Sequence, residues 1–157
     1  MSTACTGTRI GRTIVVASVV ATLLAALAST AQAGDGTYRD RWQMKKATNA
    51  SRLNHERRRV DLSRALSDLA RRHSLKMARE GELFHTANPG KYYLQGRTWR
   101  YWGENVGVTG GNVGGLEKAF MASAPHRANI LNRTFRHVAI GTVRRDGMLW
   151  VTVFFWG

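Results

Sequence analysis

Three polar side chains stand in separate segments of the sequence where core packing does not require them: His85, Glu104 and His126. Two imidazoles and one carboxylate can give a divalent metal three ligands and leave a position open, as in hydrolytic zinc sites. Nothing in the sequence points to oxygen chemistry, so zinc is favoured over iron. Both histidines would be ligands, and Glu104 would be the third ligand or would orient an imidazole or a metal-bound water. The same groups can instead form a purely structural hydrogen-bonded network.

The periodic spacing of apolar residues predicts helices in the first half of the chain. The clearest stripe, which Asp61 or Ser63 can cap and Gly81 can end, consists of Leu62, Leu66, Leu69, Ala70, His73 and Met77. His73 lies on that stripe, so it is interpreted as a core histidine rather than a ligand. A weaker helical pattern runs from Trp42 to Arg59, and another short helix is predicted at about 114–123.

The second half of the sequence has the residue pattern of β-strands. Residues 137–144 and 148–155 are rich in β-branched and aromatic side chains, and Asp146-Gly147 between them is a hairpin turn signal. Residues 86–102 predict a long loop. Helices followed by strands indicate an α+β layered domain.

Five short stretches, taken in order, resemble the CAP superfamily (cysteine-rich secretory, antigen and pathogenesis-related proteins) in its compact bacterial form. They are Leu53-Asn54-His55-Glu56-Arg57, residues 69–78, Phe84-His85, Gly103-Glu104-Asn105 and residues 123–131. The resemblance runs from about Leu53 to Phe155. It implies an α-β-α sandwich, with an antiparallel sheet flanked by helices and a cleft whose floor carries two histidines and two acids.

His85, Glu104 and His126 fall on three of those four cleft positions, with Asn105 and Ser123 as cleft neighbours. Ser123 stands where eukaryotic members carry the second glutamate, and bacterial relatives commonly carry serine there. Glu117, six residues earlier, is off the helical face of Ser123 and is a poor substitute. The resemblance therefore does not carry over a two-acid mechanism, and it favours binding over catalysis.

The amino terminus predicts export. Arg9 and Arg12 precede an apolar run, and Ala31-Gln32-Ala33 is a small-x-small signal for cleavage after Ala33. The apolar run is short for a membrane anchor, so we expect a Sec-type signal peptide at 1–33, a secreted product, and no transmembrane helix after cleavage. Residues 34–50 are interpreted as a polar lead-in with the start of the first helix, and 51–157 as the CAP domain. The only cysteine, Cys5, would be removed, which excludes thiol chemistry.

The charge indicates the kind of partner. The chain has 24 lysines and arginines against 10 acidic residues, a net charge of +14. Outside a cell this favours an anionic cell-wall polymer or a lipid, although a basic exterior can also serve solubility alone. Residues 91–102 interleave basic and aromatic side chains, and we expect at least two of these rings to cap the core beside the cleft. Nucleic acid is disfavoured because the protein is exported and lacks a nucleic-acid motif.

Three functions follow from these observations. The favoured one is an extracellular binding module whose cleft holds a divalent metal and whose rim binds a lipid or wall polymer. The second is a zinc-dependent hydrolase of peptide or glycan, with His85, Glu104 and His126 as its catalytic centre. The third is a domain that binds another extracellular protein, in which the three residues form only a structural network.

Overall fold

The computed structural model describes residues 37–157, which form five helices and four strands. The elements are α1 (37–53), β1 (Asp61–Leu62), α2 (Arg64–Glu80), α3 (Pro89–Leu94), β2 (Trp102–Thr109), α4 (Val113–Ala122), α5 (Ala124–Leu131), β3 (His137–Arg145) and β4 (Met148–Trp156). The signal peptide at 1–33 lies outside the described residues and stays a prediction. Among residues 37–157, no helix is both long and apolar enough to cross a bilayer.

The four strands form one sheet in the order β1-β3-β4-β2. β4 pairs antiparallel with both β3 and β2, which confirms the α+β class and the antiparallel core of the sheet. The β3–β4 hairpin turns at Asp146 and Gly147, whose φ angles of 51° and 75° fit the predicted tight turn. β1 adds a parallel edge to β3, and its two residues are too few to show a strand pattern in the sequence.

Side chains of β4 alternate between two helical layers. On one face, α1, α4 and α5 contribute to a core with Leu149, Val151, Val153 and Phe155. On the other face, α2 and α3 pack against the even-numbered residues, including Phe154 and Trp156. Helices therefore cover both faces of the sheet, and the α-β-α sandwich is confirmed.

The second helix follows its sequence signals closely. Ser63 is its N-cap and accepts a hydrogen bond from the backbone N–H of Leu66, while Gly81 ends it with a φ of 70°. Its buried face includes His73, as the apolar stripe predicted. Gly141 of β3 lets this helix approach the sheet, because a Cβ there would collide with the backbone of Ala70 and Arg71.

Helices α3 and α5 were not predicted, and both have proline in their first turn. Pro89 follows the N-cap Asn88, whose side chain accepts a hydrogen bond from the backbone N–H of Lys91, and Pro125 lies in the first turn of α5. Proline is well suited to a first turn because it has no N–H to satisfy there. These helices of six and eight residues are too short to show periodicity, and α3 lies in the segment that was predicted as a loop.

The first helix ends six residues earlier than predicted, at residue 53, because the chain reverses around a buried arginine. The guanidinium of Arg52 donates to the carbonyl oxygens of Arg58, Ile130, Asn132 and Phe135 at 2.6 to 3.2 Å. These carbonyls include the end of α5 and the segment leading into β3. Burial lowers the pKa of Arg52, and the four carbonyls solvate its charge in place of water.

We expect Gly141→Ala to lower the free energy of unfolding by about 2–3 kcal/mol, because the new methyl group meets helix backbone that cannot turn aside. Urea denaturation measures this change. Gly110→Ala is the matched control: its nearest neighbour is Met148 Sδ at 3.6 Å, and the expected change is within about 0.5 kcal/mol. Equal stability of the two variants would contradict the close approach of α2 to β3.

Candidate functional site

A buried carboxylate on the edge strand β2 organises the candidate site. The Glu104 side chain is only 1% exposed, and both of its oxygens are hydrogen-bonded. Oε1 accepts from the backbone N–H of Thr86 at 2.8 Å and lies 2.9 Å from Nδ1 of His85. Oε2 accepts from the Thr86 hydroxyl at 2.6 Å and from the Tyr93 hydroxyl at 3.4 Å. Four donors thus surround the carboxylate, which fixes its position.

His85 stands at the surface beside this carboxylate. Its side chain is 60% exposed, in a segment between α2 and α3 that is neither helix nor strand. Because Oε1 of Glu104 accepts hydrogen bonds, the Nδ1 atom of His85 carries a proton. In the neutral imidazole, Nε2 is then left with a free lone pair.

His126 lies in the first turn of α5 and is also held through its Nδ1 atom. Its Nδ1 atom is 3.0 Å from the hydroxyl of Ser123, and its ring packs against Phe120 with 5.0 Å between the ring centroids. Burial lowers the pKa of His126, and the charge of His85 lowers it further. The imidazole of His126 is therefore neutral at pH 7.

Alternation along β2 directs its neighbouring side chains to opposite faces of the sheet. Glu104 faces the α2 and α3 layer and contacts His85. Asn105 faces the α4 and α5 layer, donates to the backbone carbonyl of His126 at 3.0 Å, and accepts from Asn129 at 2.8 Å. Asn129 also donates to the backbone carbonyl of Glu104 at 3.1 Å. The two histidine-bearing segments are thus fastened to consecutive residues of one strand.

The predicted residues fall into two contact pairs. His85 contacts Glu104, while His126 contacts Ser123. Within residues 37–157, no group of three or more His, Cys, Asp or Glu side chains is arranged to hold a metal ion. Metal binding by the three residues therefore stays a prediction. Glu117 lies away from both pairs, buried against Thr48 of α1, whose hydroxyl donates to it at 3.1 Å.

Sequence reasoning did not single out the other partners of the site, which are Thr86, Tyr93 and Asn129. A buried carboxylate predicts that donors will surround it, but those donors come from the His85 segment and from α3. Only the fold determines which donors meet Glu104. Thr86 directly follows His85, and this adjacency was the one local signal available.

The aromatic strip at 91–102 divides between core and surface. Tyr93 is buried and stacks on Phe154 at 4.1 Å, and burial raises its pKa. Trp102 stacks on the same ring at 6.4 Å but remains 42% exposed. The other three rings are at least 37% exposed: Tyr92, Trp99 and Tyr101. The strip therefore presents four partly exposed rings, of which Tyr92 lines a surface pocket together with His85.

The family model for the cysteine-rich secretory protein (CAP) family matches residues 45–154. The chain belongs to the CAP family. This confirms the resemblance seen in the sequence. No curated protein matches the chain in sequence.

Solved structures of three extracellular or surface proteins are similar to this CAP domain. An extracellular protein of Bacillus anthracis containing an SCP domain matches 76% of this chain and 41% of its own, with 23% identity and a TM-score of 0.65. An outer surface protein of Borrelia burgdorferi matches 75% of this chain and 92% of its own, with 14% identity and a TM-score of 0.67. A cysteine-rich secretory protein of Staphylococcus aureus matches 76% of this chain and 38% of its own, with 20% identity and a TM-score of 0.61.

These similarities establish the fold. The chain spans less than half the length of the Bacillus anthracis and Staphylococcus aureus proteins.

We expect Glu104→Ala to lower the free energy of unfolding of the CAP domain by about 2–4 kcal/mol, because it leaves three buried donors without an acceptor. Glu104→Gln should lose less than half of that, since its amide oxygen still accepts and its NH₂ group can donate to the Thr86 or Tyr93 hydroxyl. Urea denaturation of both variants measures the difference, with the exposed Glu80→Ala as control. An equal loss for Glu104→Gln and Glu104→Ala would contradict the hydrogen-bonding role.

Proposed function

We propose that this chain is a secreted CAP-domain binding module in which His85 and His126 hold a divalent metal through Nε2. The predicted signal peptide supports secretion, as does the similarity to extracellular and surface proteins. The fold and family alone do not define an activity, so the proposal rests on the site.

The observation that carries the proposal is that both imidazoles are held through Nδ1. Glu104 anchors His85, and the Ser123 hydroxyl anchors His126. Among the described residues, neither Nε2 atom forms a hydrogen bond. The Glu104 carboxylate requires the proton of His85 on Nδ1, which leaves Nε2 a lone pair, and His126 offers the same lone pair in the tautomer that donates from Nδ1 to Ser123. Metal-ligating histidines usually bind through one ring nitrogen while a carboxylate, carbonyl or hydroxyl group holds the other.

The remaining residues take positioning roles in this proposal. Glu104 orients His85 rather than binding metal, because four donors already occupy its two oxygens. Ser123 orients His126 without adding a negative charge. Two imidazoles suit zinc among the common divalent ions, and a metal with only two protein ligands keeps positions open for a ligand.

The surroundings support binding over hydrolysis. A general base must reach the proton that it abstracts, and Glu104 is buried within its own hydrogen-bond network. The exposed rings of the aromatic strip, with Arg97 and Arg100 among them, instead offer apolar contact combined with positive charge. Such a rim suits an anionic wall polymer or a lipid.

We expect tag-free protein comprising residues 34–157 to retain about one zinc per chain after dialysis, because two imidazoles held through Nδ1 can each offer Nε2 to the metal. Metal content is measured by mass spectrometry. The double variant His85→Ala/His126→Ala should retain none while remaining folded, as judged by its circular dichroism and unfolding midpoint.

His55→Ala/His137→Ala is the matched control, since it removes the same number of histidines from positions outside the site. It should keep the zinc of the wild type. Absence of zinc from the wild type after zinc addition would overturn the proposal. Equal loss in the control variant would show that any binding is not located at His85 and His126.

A further inference from the structure

His73 of α2 carries a buried polar atom that the site described above does not use. The residue is only 7% exposed, and its Nε2 atom is buried without a hydrogen-bond partner in the described part of the chain. Buried polar atoms are nearly always paired, so an unpaired one requires an explanation. The side chain also lines a surface pocket of about 400 Å³ beside His85.

A short chain of hydrogen bonds through Ser74 and Thr152 determines which ring nitrogen of His73 carries the proton. Ser74 donates to the Gly141 carbonyl, which can only accept. The proton between the hydroxyls of Ser74 and Thr152, 2.9 Å apart, must then come from Thr152. Nδ1 of His73 lies 3.1 Å from the Thr152 hydroxyl, so this third contact requires the proton on Nδ1. Burial lowers the pKa of His73, so the imidazole is neutral and Nε2 presents a lone pair.

The geometry of the imidazole ring sets the direction in which the Nε2 lone pair points. Nδ1 and Nε2 point in nearly opposite directions across an imidazole, and Nδ1 points to Thr152 in the sheet. Nε2 therefore points away from the sheet. The ring of Phe84 stands edge-on to His73 with 5.3 Å between centroids and covers it. Phe84 is partly buried against the core cluster around Met77, in a segment without helix or strand, so a ligand reaches Nε2 only where its ring turns aside.

The charges around the pocket determine which kind of ligand can donate to the lone pair of His73 Nε2. Arg72 and Lys76 line the pocket, and the Lys76 amine lies 5.0 Å from the Phe84 ring centroid. Glu104 already accepts from four donors, and Lys76 forms only a long, exposed contact of 3.9 Å with Glu80, which leaves its amine able to bind a second anion. Two cations disfavour a metal ion at this position and favour an anion. A lone pair accepts a hydrogen bond, and a hydroxyl group on the anion supplies the donor.

We propose that this pocket binds a hydroxylated anion, a sugar or polyol bearing a carboxylate or phosphate, with one hydroxyl donating to His73 Nε2 and the charge between Arg72 and Lys76. The rings of Phe84 and Tyr92 then supply the apolar walls that pack against carbon. This goes beyond the proposed function and does not depend on a metal. Metal-stripped protein can therefore test it separately.

The first test is nuclear magnetic resonance of metal-stripped protein labelled with ¹⁵N at histidine. The free protein should show His73 as the Nδ1–H tautomer. Glucuronate and glucose 6-phosphate should each shift the His73 Nε2 resonance in the direction of an accepted hydrogen bond, whereas glucose and sulfate should not at the same concentration. A response to only one acid would identify the carboxylate or the phosphate as the preferred charge. An Nε2–H tautomer, no response to either acid, or an equal response to glucose or sulfate would overturn the proposal.

The second test uses two charge-matched variants of the same helix. Arg72→Gln/Lys76→Gln removes the two cations that line the pocket, and we expect binding of the responsive acid to weaken about tenfold or more. Arg71→Gln/Arg79→Gln removes two exposed cations of α2 that do not line it. This control should bind as the wild type does. Equal weakening in both variants would mean that the general positive field attracts the anion, and would overturn the assigned pocket.

Discussion

β4 is the constraint on which the rest of the structure depends, because it is buried on both faces. Its side chains alternate between two helical layers, and its two backbone edges pair with β3 and β2. A strand in this position can contain no charged residue without a buried partner, and residues 148–156 contain none. Neither helical layer could assemble without it, because each buries its apolar side against alternate β4 residues.

The geometry of the candidate site depends on this arrangement of strands and helices. β2 is the edge strand beside β4, and its polar side chains Glu104 and Asn105 are buried but hydrogen-bonded by neighbouring segments. Glu104 and Asn105 are consecutive and therefore face opposite layers, and each fastens one histidine-bearing segment. The distance between those segments is thus set by the strand rather than by flexible loops. Sites built on regular elements hold their geometry more accurately than sites built on loops.

Local signals predicted those parts of the fold whose determinants are themselves local. Ser63 and Gly81 bound α2, and Asp146-Gly147 turns the hairpin, because caps and turns depend on a few adjacent residues. Helix α5 was missed although Pro125 signals a helix start, since eight residues show little periodicity. The types of His85, Glu104 and His126 marked them as candidates. Their separation into a Glu104 pair and a Ser123 pair depends on the faces of β2, which no local pattern encodes.

The positive charge of the chain acts in opposite directions on the two proposed ligands. A net charge of +14 disfavours a metal cation and favours an anion, so the metal must be held by oriented lone pairs rather than by attraction to acids. The anion pocket shares His85 as a wall with the proposed metal site. A negative group bound there would offset the field at the metal, and a bound metal would attract the anion in turn. Linkage requires the two effects to be equal in free energy, so each ligand would strengthen the binding of the other to the same extent.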